Sequence, residues 1–204
     1  MIIGPKYKIA RRLGSPIFEK TQTTKFKERS ARRAEKSNKR MGGAKNQFGA
    51  QLIEKQKVRL TYRLSEKQFS NYVRKAVEQK KVVASLGLLQ QLESRLDNIL
   101  FRSGLSASRG NARQMASHGH ILVNGTKVTI PSMALGVNDV IAIRIGSKNK
   151  KLFEGLEARL MEKTIAPWLS VDPKKSEVKI ISTPQSIEES GALDLQSVIE
   201  FYSR

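Results

Sequence analysis

The sequence predicts an α+β fold, in which a mainly helical lobe carries an inserted small α/β module and a basic N-terminal extension. Three observations support this prediction. Apolar residues recur at helical spacing from Ala50 to Leu100, a second short helical pattern follows Ser108, and short β-rich runs joined by turn residues begin at Ile121. The predicted boundaries are 1–46 for the extension, 47–92 completed by 157–204 for the helical lobe, and 93–156 for the module.

The charge is strongly basic and unevenly distributed. Lys and Arg total 38 against 18 Asp and Glu, and residues 1–60 contain 17 of the basic residues but only 4 of the acidic ones. Such an excess destabilises a compact chain unless a polyanion neutralises it. Nucleic acid is favoured over a membrane as that polyanion, because the longest apolar runs fall far short of the roughly 20 residues that span a bilayer.

The amino terminus and the cysteine count exclude further classes of protein. The first residues, MIIGPKYKIARRLG, have no apolar core and no small-residue cleavage site, so they do not resemble a secretory signal. The chain has no cysteine, which excludes disulfides and thiolate metal sites and fits a reducing compartment.

Residues 1–46 are basic, interrupted by glycine and proline, and poor in large aliphatic side chains beyond Ile17. A segment of this composition buries little by itself, so we expect an extension that becomes ordered on a polyanion. The run from Lys25 to Arg40 has helix-forming composition without an apolar face. It fits either a solvated segment or a helix laid on RNA.

The helical lobe is predicted from capping and periodicity. Ser65 and Gln68 form a capping box, and the helix that follows places Phe69, Tyr72 and Val73 on a buried stripe. The segment 86–104 predicts one continuous helix that Gly104 ends. The last residues, DLQSVIEFYSR, predict a terminal helix with an apolar anchoring face.

The module combines a short helix with a hairpin. Ser108 is a good N-cap for a helix that Gly119 ends, and Asn124-Gly125 is a strong signal for a tight turn between two strands. The run VIAIRI predicts a third strand, 148–161 a further helix, and EVKII a last strand.

Arginines in the module are spaced to meet a phosphate backbone. Helical spacing places Arg95, Asn98 and Arg102 along one face, and Arg109 and Arg113 along another. If the two helices pack through their apolar faces, the four arginines form one basic ridge, whose planar guanidinium groups suit phosphate. The N-terminus of the second helix, with Asn124 and Lys127 of the hairpin, would add to it. The alternatives are a solvated face and, for Arg95, a structural pair with Asp97.

His118 and His120 flank a glycine and have no third type of metal ligand nearby. A metal site normally needs three or four converging ligands, so we expect no metal here and no cofactor in the chain. The two histidines fit polar contacts near the ridge, or surface residues.

Residues 94–141 are similar to the RNA-binding module named after small-subunit ribosomal protein four. That module alone indicates binding to structured RNA. The segments GPKYKIARRLG, AQLIEKQKVRLTYRLSEKQF, PWLSVD and VIEFYSR resemble the bacterial and organellar family of that ribosomal protein, in the same order and over nearly the full length.

The resemblance implies a protein that binds a multi-helix junction in the 5′ domain of small-subunit rRNA early in assembly. It also implies contact with neighbouring small-subunit protein five, near the point where messenger RNA enters, and an effect on decoding accuracy. The family fold has two lobes. The expected location is the small ribosomal subunit in the cytoplasm or an organelle, with no membrane association and no homo-oligomer.

Two departures from the family pattern matter. Many relatives hold zinc with four N-terminal cysteines, and the position of the first is Tyr7 here, so we expect RNA contacts to hold the N-terminal arm. The segment around Gly42-Gly43 is shorter than in many relatives, with Lys45 close to it, so the resemblance does not decide whether this chain unwinds messenger RNA.

The predicted function is therefore a structural, rRNA-binding constituent of the small ribosomal subunit without catalytic activity. An RNA-modifying enzyme that uses the same module, or a separate RNA chaperone, are the alternatives. The predicted RNA-binding residues are Lys6, Lys8, Arg11, Arg12, Lys45, Lys55, Arg59, Arg63, Arg95, Arg102, Arg109, Arg113, His118, His120, Asn124 and Lys127.

Overall fold

A computed structural model describes residues 3–38, 46–79, 82–148, 150–162, 164–186 and 193–203. The chain divides into two compact units, one of Met1–Ser85 with Gly191–Arg204 and one of Leu86–Ser190. The α+β class is confirmed, because the second unit combines helices with a five-stranded sheet. The observed division differs from the expected boundaries, since residues 86–92 and 157–190 belong to the unit with the sheet and not to the helical lobe.

The helices in chain order are α1 (Lys6–Leu13), α2 (Thr24–Asn38), α3 (Gln47–Thr61), α4 (Glu66–Glu78), α5 (Ala84–Glu93), α6 (Leu96–Arg102), α7 (Arg109–Ser117), α8 (Leu156–Glu162) and α9 (Leu195–Tyr202). The strands are β1 (Ile121–Val123), β2 (Thr126–Val128), β3 (Val140–Ile143), β4 (Leu169–Asp172) and β5 (Glu177–Ile180). Short 3-10 turns lie at Glu19–Thr21, Ile145–Ser147 and Lys151–Phe153.

The N-terminal segment packs against α3, which corrects the expectation of an extension without a core of its own. Ala10, Leu13 and Phe18 are buried with Leu60 in a small apolar cluster. Gly14 ends α1 with a φ of 65°, which glycine adopts without strain. The cluster is difficult to read from residues 1–46 alone, because it is completed by a side chain of α3.

The first unit also contains the predicted capping box and terminal helix. The Ser65 hydroxyl accepts a hydrogen bond from the Gln68 amide at 3.3 Å, and the Gln68 side chain accepts one from the Ser65 amide. Phe69 and Val73 of α4 are buried, as their spacing predicts. The Asp194 carboxylate caps α9 at the Ser197 amide, 2.9 Å away, and α9 packs on α3 and α4.

The predicted helix over 86–104 is interrupted, and α5 and α6 are separate helices. Arg95 is extended, with a φ of −70° and a ψ of 138°, and forms an isolated bridge with Ala134. The amides of Leu96 and Asp97 donate to the carbonyls of Met133 and Pro131 at 2.9 and 3.0 Å. A distant loop therefore satisfies amide groups at the start of α6 that would otherwise lack partners.

The module itself forms as its turn residues predict. The Ser108 hydroxyl accepts from the Asn111 amide at 3.1 Å at the start of α7. Asn124 and Gly125 have φ values of 50° and 80°, the left-handed pair that a two-residue hairpin turn needs. Strands β1 and β2 pair on either side of that turn, with Val123 opposite Thr126.

The sheet extends beyond the predicted module, in the order β2-β1-β3-β5-β4 with antiparallel pairing throughout. The last four residues of PWLSVD form β4, and β5 pairs with β3. The helix predicted over 148–161 shortens to α8 after a 3-10 turn, since Gly155 has a φ of 63°. Trp168 is buried in the same core as α6, α7 and the strands.

Candidate nucleic-acid interface

Arg102 at the end of α6 is held by a buried carboxylate. Glu93 is only 1% exposed and accepts hydrogen bonds from Arg102 Nε at 2.9 Å and from Nη2 at 2.7 Å. Two parallel bonds fix the plane of the guanidinium group. About a quarter of the Arg102 side chain stays exposed, at 25%, so its outer edge is accessible to a ligand.

Asn98 connects Arg109 to the same carboxylate. Asn98 Nδ2 donates to Glu93 Oε2 at 2.6 Å, and Asn98 Oδ1 accepts from Arg109 Nε at 2.8 Å. The Arg109 guanidinium also lies over the Phe101 ring, 4.4 Å from its centroid, which is a cation–π contact. Asn98 is buried, so it positions Arg109 instead of reaching the surface.

Arg95 does not belong to a surface ridge, which corrects the predicted arrangement of four arginines. Its side chain is 1% exposed and pairs with Asp97 through bonds of 3.0 Å from Nε and 2.7 Å from Nη2. The break before α6 turns Arg95 inward, where the predicted structural pair with Asp97 does form. The partly exposed arginines are Arg102, Arg109 and Arg113, which we call the α6–α7 arginine surface.

The hairpin residues predicted to bind RNA have different surroundings. The Asn124 side chain is committed to the turn, because Nδ2 donates to Asp139 Oδ1 at 2.8 Å and Oδ1 accepts from the Val140 amide at 2.9 Å. Lys127 on β2 is exposed, and the end of its side chain lies over Gly119, so a side chain at residue 119 would require Lys127 to move.

His118 and His120 stack with ring centroids 6.1 Å apart. His120 Nδ1 lies 3.0 Å from Ser147 Oγ, and its ring meets the edge of Phe153. Burial, followed by the charges of Lys150, His118 and Arg144, lowers the pKa of His120, so the ring is neutral at neutral pH. Across the described parts of the chain, no three His, Cys, Asp or Glu side chains converge as a metal site would require.

The first unit exposes a dense set of cations on its two N-terminal helices. We call this set the α1–α2 basic surface; it comprises Lys8, Arg11, Arg12, Lys25, Lys27, Arg29, Arg32 and Arg33. Within the described residues, no salt bridge joins any of them to a carboxylate. Lys6 is partly covered, with its ammonium 5.9 Å from the Phe18 ring. Lys45 lies outside the described residues.

Lys55 is not a surface cation, contrary to the prediction. It is 8% exposed, and its ammonium lies 2.7 Å from Glu66 Oε1 and 4.6 Å from the Phe201 ring centroid. Arg59 shares Glu66 at 3.3 Å and also bonds to Gln56. Arg63 follows α3 with a left-handed φ of 54° and is partly exposed.

The predicted set of RNA-binding residues missed two features of the structure. The structure brings Arg102 and Arg109 together through Glu93, a residue that sequence reasoning missed because a lone Glu in a leucine-rich helix gives no signal. The cations of α2 were also missing from the predicted set, although the basic run from Lys25 to Arg40 could have indicated them.

None of the described helices is long and apolar enough to cross a membrane.

Two family models together match residues 1–141 of the chain. Residues 94–141 match the S4 domain, and residues 1–93 match the ribosomal protein S4/S9 N-terminal domain. The fold and the two matches together define the class as a ribosomal protein that carries an S4 domain, and not an enzyme.

Relatives that match over nearly their full length identify the family within this class. The chain is 41% identical to small ribosomal subunit protein uS4 of Chromobacterium violaceum, over 99% of this chain and 98% of the relative. The protein of the same name from Chlorobium limicola is 38% identical, over 98% of both chains. That from Borrelia recurrentis is 37% identical, over 98% of this chain and 96% of the relative. The chain belongs to the small ribosomal subunit protein uS4 family.

Proposed function

We propose that this chain is a structural constituent of the small ribosomal subunit and binds small-subunit rRNA mainly through backbone phosphates. The observation that carries the proposal is the α1–α2 basic surface, whose exposed cations lack carboxylate partners among the described residues. Like charges held this close repel one another in the absence of a ligand. A phosphate backbone supplies the matching row of negative charges and releases counterions on binding.

The α6–α7 arginine surface supports the same function by a different arrangement. Arg102 and Arg109 are oriented by Glu93 and Asn98 before any ligand arrives. A guanidinium that is already oriented loses less conformational freedom on binding. Recognition of the shape and backbone of folded RNA fits such fixed cations better than recognition of base edges does.

Membership of the uS4 family supports the finer proposals. The rRNA site is a helix junction in the 5′ domain, where the chain nucleates assembly in the cytoplasm and contributes to translational accuracy. Its partners are small-subunit rRNA, neighbouring ribosomal protein five, and messenger RNA near the point where it enters. Arg95 and Lys55 are left out of the proposed contacts, because both are buried and paired with carboxylates.

Binding of the full chain to a transcript of the rRNA 5′ domain tests the proposal. With about 8–10 phosphates neutralised, log K should fall with log salt at a slope on the order of −6 to −9. Lys8→Gln combined with Arg12→Gln should weaken binding by about tenfold or more and flatten the slope by about 1.5, because two phosphate contacts are lost. The wild-type protein should also sediment with small-subunit particles.

A matched double variant controls for the loss of net charge. Lys67→Gln with Arg74→Gln also removes two exposed cations from the first unit, but Arg74 is already 4.0 Å from Glu78. This variant should retain the wild-type affinity and slope. Equal losses in the two double variants, or a salt-independent wild-type affinity, would contradict a phosphate-binding α1–α2 surface.

A further inference from the structure

A pocket of about 760 Å³ opens between α1 and α2 in the first unit. Tyr7 of α1 and Phe26 of α2 lie on its wall with their ring centroids 5.6 Å apart, tilted by 46°. Phe26 packs against the small apolar cluster of this unit, but Tyr7 is 49% exposed. Tyr7 is therefore both a wall residue of the pocket and accessible to a ligand.

Positive charge surrounds this aromatic wall. Arg11, Arg29 and Arg33 line the pocket together with a further lysine and arginine, and none of the lining residues within the described part of the chain is acidic. Arg11 Nε donates to the carbonyl of Tyr7 at 3.1 Å, which ties one guanidinium to the backbone beside the exposed ring. These surroundings suit a ligand that carries negative charge next to a flat apolar group.

Ser30 supplies an independent observation. Ser30 is one of the residues that line the pocket, and its hydroxyl oxygen is buried without a hydrogen-bond partner within the described residues. A buried hydroxyl without a partner is unfavourable, and the large majority of buried polar side-chain groups in native structures have a hydrogen-bond partner. An acceptor or donor on a molecule in the pocket would complete its bonding.

We propose that this pocket binds one unpaired nucleotide of RNA, with the base against Tyr7, the phosphate on the arginines, and a polar atom bonded to Ser30. The inference rests on the proposed function, and adds to backbone binding a site for a base. A base in a duplex has no exposed face, so the nucleotide must be extruded or lie in a loop. Stacking of bases on aromatic side chains accepts any of the four bases.

Photocrosslinking of the full chain to a 5′-domain transcript that contains 4-thiouridine tests the placement. Mass spectrometry of the crosslinked peptides should find uridine attached to Tyr7 or Phe26. Uridine monophosphate should compete with this crosslink better than inorganic phosphate does, because phosphate lacks the stacking face. Equal competition by phosphate, or by poly-glutamate, would overturn the assignment of a nucleotide.

Affinity measurements separate stacking from charge. Tyr7→Leu should weaken transcript binding on the order of 5- to 100-fold, as loss of one stacked base does, without changing the salt slope. Arg33→Gln should reduce the slope by about 0.7 to 0.9, as loss of one phosphate contact does. Ser30→Ala should also weaken binding but leave the melting temperature unchanged or raised, since no bond within the protein is lost.

Phe48→Leu is the matched control for Tyr7→Leu. Phe48 is 48% exposed, lies in the same unit, and also contacts an aromatic ring, that of Phe201 at 5.4 Å. It should bind the transcript like the wild type, and circular dichroism should show that all variants are folded. Equal losses for Tyr7→Leu and Phe48→Leu, or no crosslink to Tyr7 or Phe26 in a bound transcript, would overturn the pocket and leave phosphate binding intact. A wild-type chain that fails to bind the transcript would overturn both.

Discussion

Glu93 shows how one acidic residue serves a basic surface. Its carboxylate is buried and bonds to Arg102 directly and to Arg109 through Asn98. A buried carboxylate is unfavourable unless it is paired and hydrogen-bonded, and here both oxygens have donors. Glu93 cancels one positive charge of the surface, but its hydrogen bonds hold the guanidinium groups of Arg102 and Arg109 in fixed orientations.

Glu93→Gln should therefore lower the free energy of unfolding of the second unit by about 2 kcal/mol, because Arg102 and Asn98 lose a charged acceptor. Trp168 is the only tryptophan and is buried in this unit, so its fluorescence in urea measures the change. Glu157→Gln, at an exposed position of the same unit, is the control and should have little effect. Equal free energies of unfolding for Glu93→Gln and Glu157→Gln would show that the hydrogen bonds of the Glu93 carboxylate do not stabilise the second unit.

The helix α9 is docked on α4 through the carboxylate of Glu66. Tyr202 Oη donates to Glu66 Oε1 at 2.9 Å, the same oxygen that accepts from Lys55. Partial burial acts to raise the pKa of Glu66, but the hydrogen bonds from Lys55 and Tyr202 outweigh it, and the pKa is lowered. Burial and the bond to Glu66 raise the pKa of Tyr202, so its hydroxyl stays protonated as the donor.

The lowered pKa of Glu66 predicts the direction of the pH dependence. The folded state keeps Glu66 ionised while the unfolded state takes up a proton, so this contribution to stability is present above about pH 4.5 and is lost as pH falls further. Glu66→Gln should lower stability at neutral pH by about 0.5–1 kcal/mol, since the carboxylate is half exposed, and should lose less stability in acid. Thermal unfolding followed by circular dichroism across this range measures both effects.

Glu78→Gln is the control for this prediction, because Glu78 and Arg74 are both exposed and 4.0 Å apart. Its acid profile should match that of the wild type. If the stability of Glu66→Gln fell with pH as steeply as that of the wild type, the contacts of α9 would not depend on the charge of Glu66.

Turn and cap signals made several elements predictable from the sequence. Ser65 with Gln68, Ser108, and Asn124-Gly125 act within three or four residues of themselves, and each forms the structure that it predicts. The break before α6 could not be predicted in this way. It depends on carbonyl groups of Met133 and Pro131, which are far away in the sequence.

The candidate site was predictable in its charge but not in its geometry. Helical spacing alone places Arg95 beside Arg102, and only the tertiary bridge at Arg95 shows that its side chain turns inward. Lys55 was likewise predicted from charge, whereas its burial depends on the aromatic residues of α9. Long-range packing decides which cations remain at the surface.

At the scale of the whole molecule, the excess of 38 basic over 18 acidic residues opposes folding of the protein without RNA. The repulsion is concentrated in the α1–α2 basic surface, which the small cluster around Phe18 must hold together. We therefore expect bound RNA to reduce the electrostatic repulsion among these cations, which is present in the isolated chain.

Added salt should therefore stabilise the isolated chain. Raising sodium chloride from about 0.05 to about 0.5 M shortens the range of the repulsion, and the melting temperature should rise by a few degrees. Lys8→Gln with Arg12→Gln should melt higher than the wild type in low salt and respond less to added salt. A melting temperature that falls as salt is added would show that attractive pairs, and not repulsion, dominate the electrostatics of the free protein.

The outer strands of the sheet have a bearing on solubility. Strand β2 spans three residues with Lys127 at its centre, and β4 is four residues long and is followed by Pro173. Short edges that carry a lysine or meet a proline are poor templates for pairing with another chain. Copies synthesised before any transcript is available are thereby discouraged from polymerising edge to edge.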